Sequence, residues 1–234
     1  MNFAYRIEPI SECSILIVFD QPASTSTSRL VSHISDVLYA HFADYLMNVT
    51  PSYCTILLDY LPHRVSIFEF CAQVEALLDT LEPPTSHTET ILELPAYYDL
   101  SVGADLALYL ERGLSLDDVI QLHSEQVYTV GAIGFAPGFA FLTEVNEQLQ
   151  LPRKATPRLS LPKGSIAIAE HQTAVYPDAS PGGWNVIGNC PMTLYDPNQT
   201  PMIPFRVGQS VRFVPISRAE FLELGGQITP EVWS

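Results

Sequence analysis

A chain of 234 residues that is 47% hydrophobic has ample material for a core, and its size suits one large domain or two small ones. Charged residues make up only 16%, against about 25% in ordinary soluble domains, which points to a large partner-binding patch. The formal net charge of −15 argues against nucleic acid and anionic membrane as partners, because both demand basic patches.

In chain order, Phe3, Tyr5 and Ile7 alternate as in a strand with one buried face. The apolar run Ile15–Phe19, stopped by Asp20 and Pro22, predicts a second, more buried strand. Leu30, Ile34, Val37, Leu38, His41, Phe42 and Tyr45 recur at helical spacing, and Ser24–Ser28 supplies N-cap candidates for that helix. Met47 and Val49, then Thr55–Leu58, predict two more strands. Ile67, Phe70, Cys71, Val74, Leu77, Leu78 and Leu81 predict a second amphipathic helix. The order ββαββα predicts a small two-layer α+β domain over 1–85. Glu82, Pro83, Pro84, Thr85, Ser86 and His87 form a polar, proline-containing linker to a second domain over 90–234.

Ile91, Leu92 and Leu94 open that second region with a strand, followed by two short helices, Asp105–Arg112 and Leu116–His123, around Gly113. Ser115 with Asp118 fits a capping pattern at the second helix. Twelve of the nineteen prolines lie in 129–234, between short apolar runs such as Ser165–Ala169 and Val211–Val214, a spacing that suggests a closed or sandwiched β architecture. Charge follows the same division: residues 1–128 carry 18 acids and 4 bases, and residues 129–234 carry 8 and 7.

Cys13, Cys54, Cys71 and Cys190 form no C-x-x-C pair and have no His at metal-ligand spacing, so no metal site is expected. Arg6, Glu8 and Glu12 interrupt any early apolar run, and no run approaches the ~20 residues that span a bilayer. A cytoplasmic protein is expected. No P-loop, G-x-S-x-G, H-E-x-x-H or G-x-G-x-x-G occurs, which makes a stand-alone hydrolase or kinase a poor reading.

Four segments exceed what a core requires. Gly134-Phe135-Ala136-Pro137-Gly138-Phe139 is a tight turn between aromatics, either the wall of a small-molecule pocket or a stiff turn pinned by two core rings. Leu151–Ser165 holds Arg153, Lys154, Arg158 and Lys163 with no acid among them. These cations either hold an anion, Arg153 and Arg158 through two-pronged forks, or pair with acids from the N-terminal half. His171–Pro177 offers the Gln172 amide, the Thr173 hydroxyl and the Tyr176 phenol, and Pro181–Gly188 places Gly182 and Gly183 before Trp184, where backbone N–H groups could meet an anion. For both, turn chemistry and a core Trp are the alternative. A catalytic residue is not evident. His123, at a helix end, is expected to cap carbonyls rather than react.

Together these segments, with Pro162-Lys163-Gly164-Ser165, Val119–His123 and Gly208–Ile216, resemble the PxpB family, the B subunits of bacterial 5-oxoprolinase, which includes the kinase inhibitor KipI and proteins labelled allophanate hydrolase subunit 1. The chain departs from the family pattern at 141–145, His171, Ala174-Val175 and Gln209. The resemblance implies a cyclophilin-like β-barrel after the α+β domain. It also implies assembly with a C-type (KipA-like) partner and an A-type partner into a complex that uses ATP to convert 5-oxo-L-proline to L-glutamate. The chain would then be a non-autonomous component whose substrate-binding residues are Phe135, Pro137, Gly138, Phe139, Arg153, Arg158, Gln172, Tyr176, Gly182 and Gly183. The same resemblance allows a KipI-like regulator that inhibits a sensor histidine kinase. By analogy with biotin-dependent urea carboxylase it also allows a carboxyltransferase-type component linked to biotin. Prolyl isomerase activity would follow only from the barrel type, and fold alone does not carry activity.

Overall fold

The computed structural model describes residues 3–82 and 90–228. Pro83 to His87 of the expected linker lie outside the described residues. The chain divides into two compact units, one of Met1–Glu89 with Arg206–Gly208, the other of Thr90–Phe205 with Gln209–Ser234.

The first unit follows the hydrophobic pattern closely. It runs β1 (Tyr5–Ser11), β2 (Ser14–Phe19), α1 (Thr25–Phe42), β3 (Leu46–Ser52), β4 (Thr55–Tyr60) and α2 (Ile67–Leu78). The four strands form an antiparallel set in the order β1-β2-β4-β3. Ile15 and Ile17 stand opposite Leu58 and Ile56, so one face of the sheet is continuous aliphatic surface. Val31, Ile34, Leu38 and Phe42 of α1 and Phe70, Val74 and Leu78 of α2 bury against it. Phe70 lies edge-on to Phe42 and stacked on Tyr60, with centroids 5.4 and 4.8 Å apart. Ser24 is the N-cap that the Ser/Thr-rich stretch promised, accepting from the Thr27 N–H, and Ser66 caps α2 through the Glu69 N–H. Helix α2 ends at Leu78, short of the predicted Leu81.

The second unit contains β5 (Leu92–Ala96), α3 (Leu106–Glu111), α4 (Leu116–Ser124), β6 (Tyr128–Ile133), β7 (Ala140–Thr143) and a 3-10 turn at Glu147–Leu149. It continues with β8 (Arg158–Leu161), β9 (Ser165–Ala169), β10 (Gln172–Val175), β11 (Ser180–Gly182), β12 (Asn185–Asn189), β13 (Ser210–Pro215) and α5 (Arg218–Glu223). Gly113 at φ +90° makes the sharp turn between α3 and α4, and Ser115 and Asp118 form a complete capping box at α4. The strands follow the path β5-β13-β6-β7-β10-β9-β12, antiparallel except for the parallel pair β5–β13. β8 and β11 pair separately.

The architecture is therefore mostly antiparallel sheet with a few helices. The expected closed barrel is not formed as a continuous strand ladder. The two ends of the path meet only at one isolated bridge, where Tyr97 and Asn189 exchange both backbone hydrogen bonds at 2.9 Å. No helix among the described residues is long and apolar enough to cross a membrane.

Candidate functional site

The site grows from one buried carboxylate whose sequence context marks it only as the start of a helix. Asp105 occupies the N-cap position of α3, yet its side chain caps nothing. It is 3% exposed and receives four hydrogen bonds from elsewhere. Arg158 donates a two-pronged fork at 2.7 and 3.0 Å, the Lys154 ammonium donates at 2.7 Å and the Val186 N–H at 2.8 Å. The Asp105 N–H in turn donates to the Val186 carbonyl at 2.9 Å, so the start of α3 is clamped to β12 at two points. Burial pushes the Asp105 carboxyl up, but the Arg158 and Lys154 hydrogen bonds and the Val186 N–H outweigh it and hold it below the usual carboxylate range.

This hub divides the four cations of the basic segment. Lys154 and Arg158 take the second of the two roles open to them and pair with an upstream acid. Arg158, on β8, is 14% exposed at its side chain, and its fork is spent on Asp105. Lys163 is exposed and lends only its backbone carbonyl, to the Asn189 amide at 2.9 Å. Arg153 is exposed and lies over the Trp184 ring, its Cζ 5.6 Å from the ring centroid. The loop that carries it is pinned on both sides. The Asn185 amide donates to the Pro152 carbonyl at 2.9 Å, and the Lys154 N–H donates to the Gly183 carbonyl at 2.8 Å.

Beneath Arg153 lies an aromatic cluster. Phe139, Tyr176 and Trp184 are buried with Leu161, Ala174 and Val186. Phe139 is its centre, edge-on to Tyr176, Phe141 and Trp184 at 5.2, 5.0 and 5.7 Å. Burial pushes the Tyr176 phenol up to about 12, partly offset by the positive charge of Arg153, so it is a neutral hydrogen-bonding group at physiological pH. The 134–139 turn is clamped by Gly134 N–H to Phe139 O at 3.1 Å and Phe139 N–H to Ala136 O at 3.0 Å. Gly138 has φ +82°, and a Cβ there would collide with the Leu194 carbonyl. The two phenylalanines of this turn do different things: Phe139 is core, whereas Phe135 is 65% exposed with φ +70°.

Phe135, Pro137, Gly138, Phe139, Arg153, Tyr176, Gly182 and Gly183 thus belong to one region. Gln172 stands apart from it. It opens β10 opposite Ala169 and Thr143, and four residues of extended chain place it about 13 Å from Tyr176. Gly182 is required sterically, since a Cβ would collide with the Tyr176 hydroxyl and lie 2.7 Å from Leu161 Cδ1. Gly182→Ala should therefore lower stability by about 1–3 kcal/mol. Adding Tyr176→Phe, which deletes the colliding oxygen, should recover part of that loss in thermal melts; a double variant no more stable than Gly182→Ala alone would refute the contact.

His123 does not cap carbonyls. It is fully buried, its Nδ1 2.7 Å from the Tyr98 hydroxyl and its Nε2 3.0 Å from the Thr173 hydroxyl. Thr173 donates onward to the Ala167 carbonyl at 3.1 Å, so Nε2 carries the proton and Nδ1 accepts from Tyr98. Burial lowers this imidazole to about 3, leaving it neutral and structural. No cluster of three or more metal-ligating side chains occurs among the described residues.

Residues 5–205 match the family described as carboxyltransferase domain, subdomain C and D, and the chain belongs to that family. More particularly, it is 31% identical to the B subunit of 5-oxoprolinase from Bacillus subtilis (strain 168) over 94% of this chain and 97% of that protein, so the resemblance drawn from the motifs holds nearly end to end. The crystal structure of TTHA0988 superposes with a TM-score of 0.78 at 35% identity over 87% of this chain, which spans 40% of that protein's length. The Kluyveromyces lactis urea carboxylase shares the fold, with a TM-score of 0.67 at 13% identity over 94% of this chain and 22% of its own.

Proposed function

We propose that this chain is the B-type component of an ATP-dependent 5-oxoprolinase complex that converts 5-oxo-L-proline to L-glutamate in the cytoplasm. The observation that carries the reading is the nearly end-to-end match to a 5-oxoprolinase B subunit. The site supports a binding role more than an autonomous catalytic one: its polar groups are a neutral phenol, one exposed guanidinium and two cations committed to a carboxylate. ATP is assigned to the assembled complex, and no step of its use is placed on this chain. The partners in this reading are a C-type (KipA-like) protein and an A-type protein. In the same reading the second unit is a cyclophilin-like barrel, supported by the strand path whose ends meet at the Tyr97–Asn189 bridge.

Co-expression tests the proposal. The chain should coelute with a C-type partner through an interface above about 1,000 Å². ATP-dependent ring opening should need both partners, and the chain alone should be inactive. Turnover by the isolated chain, or separate elution at micromolar concentration, would overturn it.

A further inference from the structure

In the first unit β1 ends the strand order, and among the described residues no strand pairs with its outer edge. The Asp20 N–H donates to the Ala4 carbonyl at 3.0 Å, so Ala4 turns its backbone groups toward β2. The pattern repeats every second residue, and Arg6 and Glu8, opposite Val18 and Leu16, do the same. Tyr5, Ile7 and Pro9 therefore direct their backbone outward. The Phe19 N–H agrees: opposite Tyr5, it donates away from β1, to the Cys54 carbonyl at 2.9 Å. The open edge thus presents the N–H and carbonyl groups of Tyr5 and Ile7, and Pro9, which has no N–H, closes it.

Beside this edge runs a groove of about 400 Å³, with Phe3, Tyr5 and Ile7 on the strand side and Glu75 and Asp79 on the α2 side. Phe3, Tyr5 and Ile7 pack partly against the core, and the Tyr5 hydroxyl donates to Asp79 Oδ1 at 3.0 Å, tying strand to helix. The charge here runs against helix electrostatics. The C-terminal end of a helix is a negative pole that favours cations, yet the last turn of α2 holds no basic residue and Asp79 is its C-cap. Glu75 and Asp79 are exposed and enter none of the ion pairs among the described residues. Arg6 also borders the groove, but its guanidinium is engaged by Glu8 at 2.6 Å and Asp20 at 3.5 Å.

We propose that the outer edge of β1 is a docking surface for an extended segment of a partner protein that carries lysine or arginine, the segment adding as a strand beside Tyr5 and Ile7 and its cation lying in the groove against Glu75 and Asp79. Strand addition pairs backbone groups that otherwise face water, and it sets alternate side chains of the guest over the face that Tyr5 and Ile7 occupy. A basic guest supplies the cation that the end of α2 lacks. A second copy of this chain fits poorly. It would bring another Glu75 and Asp79 to the seam, and the one cation of its own β1, Arg6, projects from the face opposite Tyr5 and is already paired. The inference rests on the first unit alone and is independent of the 5-oxoprolinase reading.

The test uses the full chain and the peptide acetyl-Thr-Lys-Thr-Lys-Thr-amide, whose lysines share one face of a strand, with norleucine and glutamate counterparts as controls. NMR shifts and amide hydrogen exchange are read at Tyr5 and Ile7. In the chain alone these two amides should exchange fast, and those of Arg6 and Glu8 slowly. The lysine peptide should slow Tyr5 and Ile7 on saturation and bind at least about fivefold more tightly than the norleucine peptide. That advantage should vanish in the double variant Glu75→Gln with Asp79→Asn, and shrink in raised salt. The double variant should melt no lower than the unsubstituted chain, because it removes negative charge from a negative pole, so lost binding would not be lost folding. Ile7→Pro, which deletes an outward N–H in the manner of Pro9, should weaken the lysine and norleucine peptides alike. Absence of saturable binding at millimolar peptide, equal binding of all three peptides, or lysine-peptide binding that leaves Tyr5 and Ile7 exchange unchanged overturns the docking surface. So does slow exchange of Tyr5 and Ile7 without peptide: relieved by dilution, it would mean that a second copy covers the edge, and independent of concentration, that the chain itself does.

Discussion

Replacing Asp105 by alanine is expected to lower the stability of the unit that contains it by about 3–5 kcal/mol, the range for breaking a buried ion pair from one side. The substitution strands Arg158 at 14% side-chain exposure and Lys154 at 25%, and leaves the Val186 N–H without its acceptor. For a chain of this length each kcal/mol moves a melting temperature by roughly 2–4 °C, so a fall of roughly 6–20 °C should be seen in thermal melts. Arg158→Ala should also be strongly destabilising, because it removes two of the four hydrogen bonds to a carboxylate that is 3% exposed. A double-mutant cycle on the pair should give a coupling of about 1–3 kcal/mol. Additivity within about 0.5 kcal/mol would show that the pair does not act as a unit. Arg153→Gln provides the contrast: its melt should stay close to that of the unsubstituted chain, since an exposed cation–π contact contributes only about 0.5–1 kcal/mol.

The second large effect is loss of stability in mild acid through His123. Its folded pKa lies near 3, well below the unfolded value of about 6.5. Between those values the unfolded chain binds a proton that the folded chain refuses, so stability is full above about pH 6.5 and falls as the pH drops toward the folded pKa. The slope contributed by this one group approaches about 1.4 kcal/mol per pH unit in that window. Asp105 has the same sign but acts lower, as the pH falls from the ordinary carboxylate range through its depressed pKa. Urea melts of the unsubstituted chain and of Tyr98→Phe with His123→Phe, compared between about pH 4.5 and 7, isolate the histidine. The double variant removes both ends of the Tyr98–His123 hydrogen bond and leaves Thr173 bonded to Ala167. Its stability should be flatter with pH by about the slope above. Parallel pH profiles would mean that His123 is protonated in the folded state.

Much of the fold is local and legible as such. The ββαββα order of the first unit follows from apolar periods that switch between two and 3.6, and Ser24, Gly113 and the Ser115/Asp118 pair mark ends through bonds made within a few residues. The segments that carry the site are legible by composition too: a cation cluster with no acid in it, and a Pro-Gly turn between aromatics. A counter-charge for the first of these is foreseeable, since buried cations require one. Which acid supplies it is not, because Asp105 is 53 residues from Arg158 and sits in a sequence that reads as an ordinary helix start.

Elements, family and the residue types of the site are thus written in the linear chain. Which of those residues act together is settled by packing between distant segments. The parallel pairing of β5 with β13 joins Glu93 to Arg212 across 119 residues, and no local preference encodes such a partner. The same long-range packing turned Arg158 inward onto Asp105 and left Arg153 facing outward over Trp184. The difference is one of range. Periodicity, capping and turn chemistry act over about three to four residues, whereas the destination of a charged side chain is set by the desolvation and pairing available once distant strands have met.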